Sequence, residues 1–150
     1  MALVLNEEQV MLKDAARNFL RERAPVSHLR ELRDSGNTDG FSRELWAEMA
    51  DMGWPAILVP EEHGGLGYGY TGMGIVLEES GRTLTPSPLL STALAGVSAL
   101  TAAGTSEQCA ELLPSVATGE TLLALAVMSI HFINRNGAKP GRKRQTTIIV

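Results

Sequence analysis

Apolar residues along this chain recur at helical spacing through most of its length and change to a short continuous run near residue 121. Behind Asn6 the positions Leu12, Ala15, Ala16, Phe19 and Leu20 fall on one face until Pro25 stops the run. With Asn6 as N-cap and Gln9 three residues on, this predicts an amphipathic helix over 7–23. A shorter helical stretch carries Leu29 and Leu32 and ends at Ser35 to Asn37. Phe41, Leu45, Trp46, Met49 and Met52 then form a second apolar stripe closed by Gly53, the residue type favoured just past a helix end.

Residues 54–60, with Pro55 and Pro60 around a Val/Ile/Leu centre, predict an extended segment. It leads into Glu61 to Gly69, where Gly64, Gly65, Gly67 and Gly69 exclude a regular helix or strand and predict an exposed irregular loop. Helical spacing returns from Thr71, with Met73, Val76 and Leu77 inward and Glu78, Glu79 and Arg82 on a solvated face. No charged residue lies between Thr83 and Ser106. The stretch Leu89 to Ala103 is bounded by Pro88 and Gly104 and interrupted by Ser91, Thr92, Ser98 and Thr101. A bilayer span takes about 20 mostly apolar residues, so this stretch predicts a helix buried on nearly all sides. Thr105 with Gln108 caps a last helix bearing Cys109, Leu112 and Leu113, which Pro114 kinks or ends. Thr121 to Val127 has strand length and no helical face. The whole is an all-α body of five or six helices, one short strand-like segment, and a tail.

Charge sharpens the boundary. All 17 acidic residues lie at or before Glu120, so residues 1–127 carry a formal −9 and residues 128–150 carry +5. Isoleucine and lysine usage changes at the same place, and Gly137, Pro140 and Gly141 beside clustered charge predict a disordered basic tail. One cysteine, Cys109, excludes an internal disulfide and a CxxC knuckle and fits a reducing compartment. The start of the chain shows no basic segment followed by a long apolar one, so a cytoplasmic location is expected.

The chemistry-bearing motifs are sparse. The glycine loop lacks a following lysine and the strand–turn–helix frame, which excludes a P-loop and argues against a dinucleotide fingerprint; taken alone, it is a tight connector. His63 beside Glu61 and Glu62 has no second histidine at metal-ligand spacing, so no metal site is expected. No nucleophile frame occurs, and the adjacent Glu78 and Glu79 point about 100° apart on a helix, so they do not share a site.

The order of the pieces resembles the N-terminal domain of the acyl-CoA dehydrogenase family. The resemblance rests on Asn6-Glu7-Glu8-Gln9, on Leu45-Trp46 and Met52-Gly53-Trp54, and on Val59-Pro60-Glu61-Glu62-His63-Gly64-Gly65-Leu66-Gly67. Leu77-Glu78-Glu79-Ser80-Gly81 and the stretch from Leu112 to Glu120 continue it, so that it runs from about Leu5 to Val127. Arg82 to Pro88 is similar to the actinobacterial branch, whose members often act on branched, aromatic or steroid-derived acyl-CoAs.

What the resemblance implies is an FAD flavoprotein that removes the α and β hydrogens of an acyl-CoA thioester and passes electrons to an electron-transfer flavoprotein. It implies an N-terminal helical domain (1–120), the start of a middle β-domain (121–127), and, here, an unrelated basic tail (128–150). The family's catalytic glutamate belongs to a C-terminal bundle and its flavin to the middle and C-terminal domains. No catalytic, FAD-binding or metal-binding residue is therefore assigned. The N-terminal helices wall the acyl pocket, which places Leu89, Leu90, Thr92 and Ala93 as substrate-binding residues. Beyond Val127 the family's flavin-contacting turn is replaced by Met128-Ser129-Ile130-His131-Phe132-Ile133, so the expectation is a truncated dehydrogenase, inactive alone. Two other readings use the same residues: a stand-alone helical interaction module with a basic tail, and a helical partner of a full-length dehydrogenase subunit. Neither nucleic acid nor membrane is expected as a partner.

Overall fold

A computed structural model describes residues 4–130 and 143–149. Six α-helices form the body, as the periodicity predicts: α1 Glu7–Arg23, α2 Val26–Asp34, α3 Arg43–Asp51, α4 Gly69–Thr83, α5 Val97–Ala103 and α6 Ser106–Ala117. A π-helical segment, Leu89–Gly96, runs straight into α5. None of the described helices is long and apolar enough to cross a membrane.

The helix starts follow from their caps. The Asn6 side chain accepts from the Gln9 amide at 2.8 Å while the Asn6 amide donates to the Gln9 side chain at 3.1 Å. Thr105 and Gln108 repeat this reciprocal pair ahead of α6. Each box satisfies two of the N–H groups that a helix start leaves without partners. Pro114 does not end α6, which continues to Ala117.

Two apolar clusters hold the helices together. In the first, Ala16 and Leu20 of α1, Leu45, Trp46 and Met49 of α3, and Met73 and Val76 of α4 surround Trp54, with Leu89 and Ala93 closing one side. Phe19 meets Trp54 edge-on at a centroid separation of 5.2 Å, a favourable arrangement of ring quadrupoles. In the second, Val97 and Leu100 of α5 pack on Leu113, Val116 and Ala117 of α6, with Val59 and Leu123 between. Trp46 ties the two ends of the body by donating from Nε1 to the Gly119 carbonyl at 2.8 Å.

Four features depart from the sequence reading. Residues 54–60 do not extend; Trp54–Ala56 closes a 3₁₀ turn with Pro55 in it, because the fixed proline φ suits a helical turn as well as an extended chain. The Leu89 to Ala103 stretch is buried along one face only, and Leu90 is 61% exposed. Glu79 does not lie on a solvated face: it is 1% exposed and accepts both Arg17 Nε and Nη2, at 3.2 and 3.0 Å. Lys13 and Arg82 each reach Glu78 as well as Glu79, so the two adjacent carboxylates do share one cluster of cations. The tail, expected to be disordered, contains β2 Lys143–Ile149, paired antiparallel with β1 Ala124–Ile130 in the register Ala124 to Ile149 through Ile130 to Lys143. The β-branched run Thr146 to Ile149 supplies the strand preference. His131, Phe132 and most of the basic cluster lie outside the described residues.

Leu84, following α4, holds a left-handed conformation at φ 54°. There the Thr85 amide returns to the Ser80 carbonyl at 3.0 Å, the closing bond of a Schellman turn. Leu84 is largely exposed, so replacing it by glycine removes strain and little packing. Leu84→Gly is expected to stabilise the protein by about 1 kcal/mol, seen as a higher midpoint in thermal unfolding. Arg17 and Arg23 are both bidentate to a glutamate on another helix, yet Glu48, the partner of Arg23, is far more exposed than Glu79. Arg17→Ala is therefore expected to lower that midpoint more than Arg23→Ala, because only the former strips a buried carboxylate of its bidentate partner.

Candidate functional site

Pro88 stands as the N-cap, and the charge-free residues behind it wind into the wider π form. Such segments are rare and concentrate at functional places. Of the four residues singled out in the sequence, Leu89, Thr92 and Ala93 share the buried face, and Leu90 stands on the opposite, open one. Leu89 and Ala93 belong to the first apolar cluster. The Thr92 hydroxyl donates to the Leu123 carbonyl at 3.1 Å and accepts from the Leu123 amide at 3.0 Å.

A cleft of about 480 Å³ opens where this segment begins. Its walls are Asp39, Gly40 and Phe41 from the α2–α3 loop, Pro86 to Pro88 with Ser91 and Thr92, and Leu122 to Ala124 leading into β1. Asp39 is paired with Arg43 at 2.7 Å, which draws its charge toward solvent. What remains is a mixed surface of hydroxyls and apolar carbons, able to take a substrate with an extended apolar part.

The glycine loop is a connector, as read from the sequence. The amides of Gly65, Leu66, Gly67 and Tyr68 donate in turn to the carbonyls of Pro60, Ala56, Val59 and Ile57. A Cβ at Gly65 would lie 1.9 Å from the Val59 carbonyl oxygen, so glycine is required there by close backbone approach. A flavin pyrophosphate needs free N–H groups, and these four are already engaged. The glycine loop thus offers no free amide nest to a pyrophosphate.

Several of the remaining polar groups are occupied in similar ways, whereas His28 Nε2 and Trp54 Nε1 are buried with no hydrogen-bond partner among the described residues. Among the described residues no three metal-ligating side chains converge. Both oxygens of the buried Glu79 face Arg17, leaving it a structural anion rather than a base aimed at a pocket. Arg82 and Lys13 hold the Glu78 carboxyl below the usual carboxylate range, the Arg82 hydrogen bond contributing most. His63 lies against Glu62, and Cys109 against the Leu100 carbonyl at 3.4 Å.

A second opening was not visible in the sequence. Met11, Leu12, Met52, Trp54, Ile57, Leu66 and Tyr68 line a groove of about 410 Å³, with Glu8 at its edge. Met11, Met52 and Leu66 are exposed, leaving an open apolar patch on this face of the body. Helical periodicity assigned Met52 to the interior; only the irregular turn after α3 brings it beside Leu66.

Comparison with known proteins follows this geometry. Residues 6–120 match the family model described as acyl-CoA dehydrogenase, N-terminal domain. The chain is 33% identical over 129 residues to the acyl-CoA dehydrogenase IpdE2 of Mycobacterium tuberculosis, a match covering 85% of this chain and 39% of that protein. Among solved structures it resembles the Tcur3481-Tcur3483 steroid ACAD G363A variant with a TM-score of 0.70 and 33% identity, over 79% of this chain and 32% of that one. It also resembles the ChsE4-ChsE5 complex of Mycobacterium tuberculosis with a TM-score of 0.73 and 27% identity, over 83% and 34%. The chain therefore spans between about a third and two fifths of the length of the relatives it matches.

Proposed function

The chain belongs to the acyl-CoA dehydrogenase family, and from that premise we propose that its helical body supplies one wall of an acyl-CoA pocket in FAD-dependent α,β-dehydrogenation. The observation that carries the proposal is the charge-free segment Leu89 to Ala103, whose Ser91 and Thr92 line the cleft beside Leu122 to Ala124. An acyl chain needs apolar surface, and a base acting on its α-carbon needs surroundings without competing charge. Leu90 offers the open apolar side chain, Thr92 the cleft edge, and Leu89 and Ala93 the packing that fixes the segment from behind. The likeness to a steroid ACAD supports a bulky acyl group over a short straight one.

The proposed partners follow from the same premise. An electron-transfer flavoprotein takes up the electrons, and the methionine-lined groove is the surface suited to a protein partner. The likeness to the ChsE4-ChsE5 complex supports a second dehydrogenase subunit as a further partner. The single Cys109 supports a reducing, cytoplasmic setting.

Among the described residues neither a base nor a flavin site is supplied in this reading, since the one buried carboxylate is ion-paired and the glycine-loop amides are engaged. The purified chain is expected to carry no flavin absorbance and to reduce no dye with any member of an acyl-CoA panel. Stoichiometric flavin or turnover above the blank would overturn that expectation. The wall assignment is tested in a complete relative by enlarging the residue equivalent to Leu90 to phenylalanine. A loss of roughly tenfold in kcat/KM for the longest or bulkiest acyl group, with shorter ones spared and Tm unchanged, is expected. Unaltered acyl preference would remove Leu90 from the pocket. Leu90 is a cleaner probe than Thr92, whose enlargement would break both bonds to Leu123.

A further inference from the structure

We infer that Thr92 is a positioning residue that seats the outgoing strand on the helical body, its hydroxyl standing in for a neighbouring β-strand at Leu123. In an extended chain the N–H and C=O of one residue face the same edge, where a partner strand normally meets both. Among the described residues no strand meets Leu123, directly before β1, on this edge; the single oxygen of Thr92 meets both groups, at 3.0 and 3.1 Å. Both residues are buried, so water does not replace the hydroxyl, and its removal leaves an orphaned donor and an orphaned acceptor together.

An independent observation four residues along marks the same seat. A Cβ on Gly96 would lie 2.5 Å from the Leu123 Cβ, too close for any residue but glycine. Thr92 and Gly96 belong to one π-helical segment, whose wide winding keeps residues four apart on one face. The hydroxyl thus fixes the backbone of Leu123 and the missing Cβ receives its side chain. Because a strand shifted by one residue turns every side chain to the opposite face, this seat decides which faces Ala124 and Leu125 present to whatever the strand joins. The inference goes beyond the pocket-wall reading and does not rest on it, as its test needs neither acyl-CoA nor flavin.

The test is amide hydrogen exchange, read by nuclear magnetic resonance on the full chain and on its Thr92→Ser, Thr92→Val and Gly96→Ala variants. Valine keeps the shape of threonine without the hydroxyl, and serine keeps the hydroxyl without the methyl. In Thr92→Val the Leu123 amide is expected to exchange roughly tenfold faster or more relative to those of Phe19 and Leu20 in α1, while Thr92→Ser stays within about twofold of the parent. Loss of protection throughout the Thr92→Val variant beside a parent-like Thr92→Ser supports the same conclusion, since the variant that keeps the hydroxyl is spared although it loses the methyl. Parent-like exchange in Thr92→Val, equally fast exchange in Thr92→Ser, or an unprotected Leu123 in the parent overturns it. Gly96→Ala retains the hydroxyl and displaces the side chain; faster exchange at Leu123 is expected, and no change there overturns the seat.

Discussion

The contact on which the arrangement of this body depends is the bidentate pair between Arg17 of α1 and the buried Glu79 of α4. Burying a carboxylate is expensive, and replacing such a pair by well-packed apolar residues is often neutral or stabilising. Its importance here is directional. Hydrophobic contact between α1 and α4 would tolerate sliding and rotation, whereas a planar guanidinium meeting a planar carboxylate admits one geometry. Lys13 and Arg82 reach the same carboxylate, so the bidentate pair sits inside a wider cluster of cations. Once α1 and α4 are registered, Leu20, Met73 and Val76 meet around Trp54, and the π segment closes over them through Leu89 and Ala93.

Much of this fold is legible in the sequence, and the reasons are local. The capping boxes at Asn6/Gln9 and Thr105/Gln108 are complete within four residues, and both form. The apolar stripes of α1 and α3 need only a 3.6-residue period to declare their inner faces. The glycine loop, too, is read correctly as a connector, though only the structure explains Gly65, through the Val59 carbonyl beside it.

What was not legible depends on partners distant along the chain. Glu79 looks like a surface residue beside Glu78 until Arg17, 62 positions away, is placed against it. Nothing in the composition of Leu89 to Gly96 separates a π from an α winding. The four residues singled out in the sequence do not behave alike in the structure. Leu90 faces out, Leu89 and Ala93 face in, and Thr92 bonds to a strand 31 positions later. The methionine groove was invisible for a similar reason, since its walls come from α1, the end of α3 and the glycine loop.

These separate observations meet in one property of the charge-free segment. A helix that lines a pocket needs one apolar face toward the ligand and another toward the core, and so it cannot use charges to fix its own position. Here the fixing is transferred to uncharged devices: a threonine hydroxyl that satisfies both polar groups of Leu123, a glycine that admits its side chain, and apolar packing behind Leu89 and Ala93. None of these adds a formal charge near the cleft, and Leu90 stays open while the segment beneath it is held at several points. The same devices anchor the first residues of β1 to that surface. The wall and the strand leaving it are therefore one mechanical unit, and a change at Thr92 or Gly96 acts on both at once.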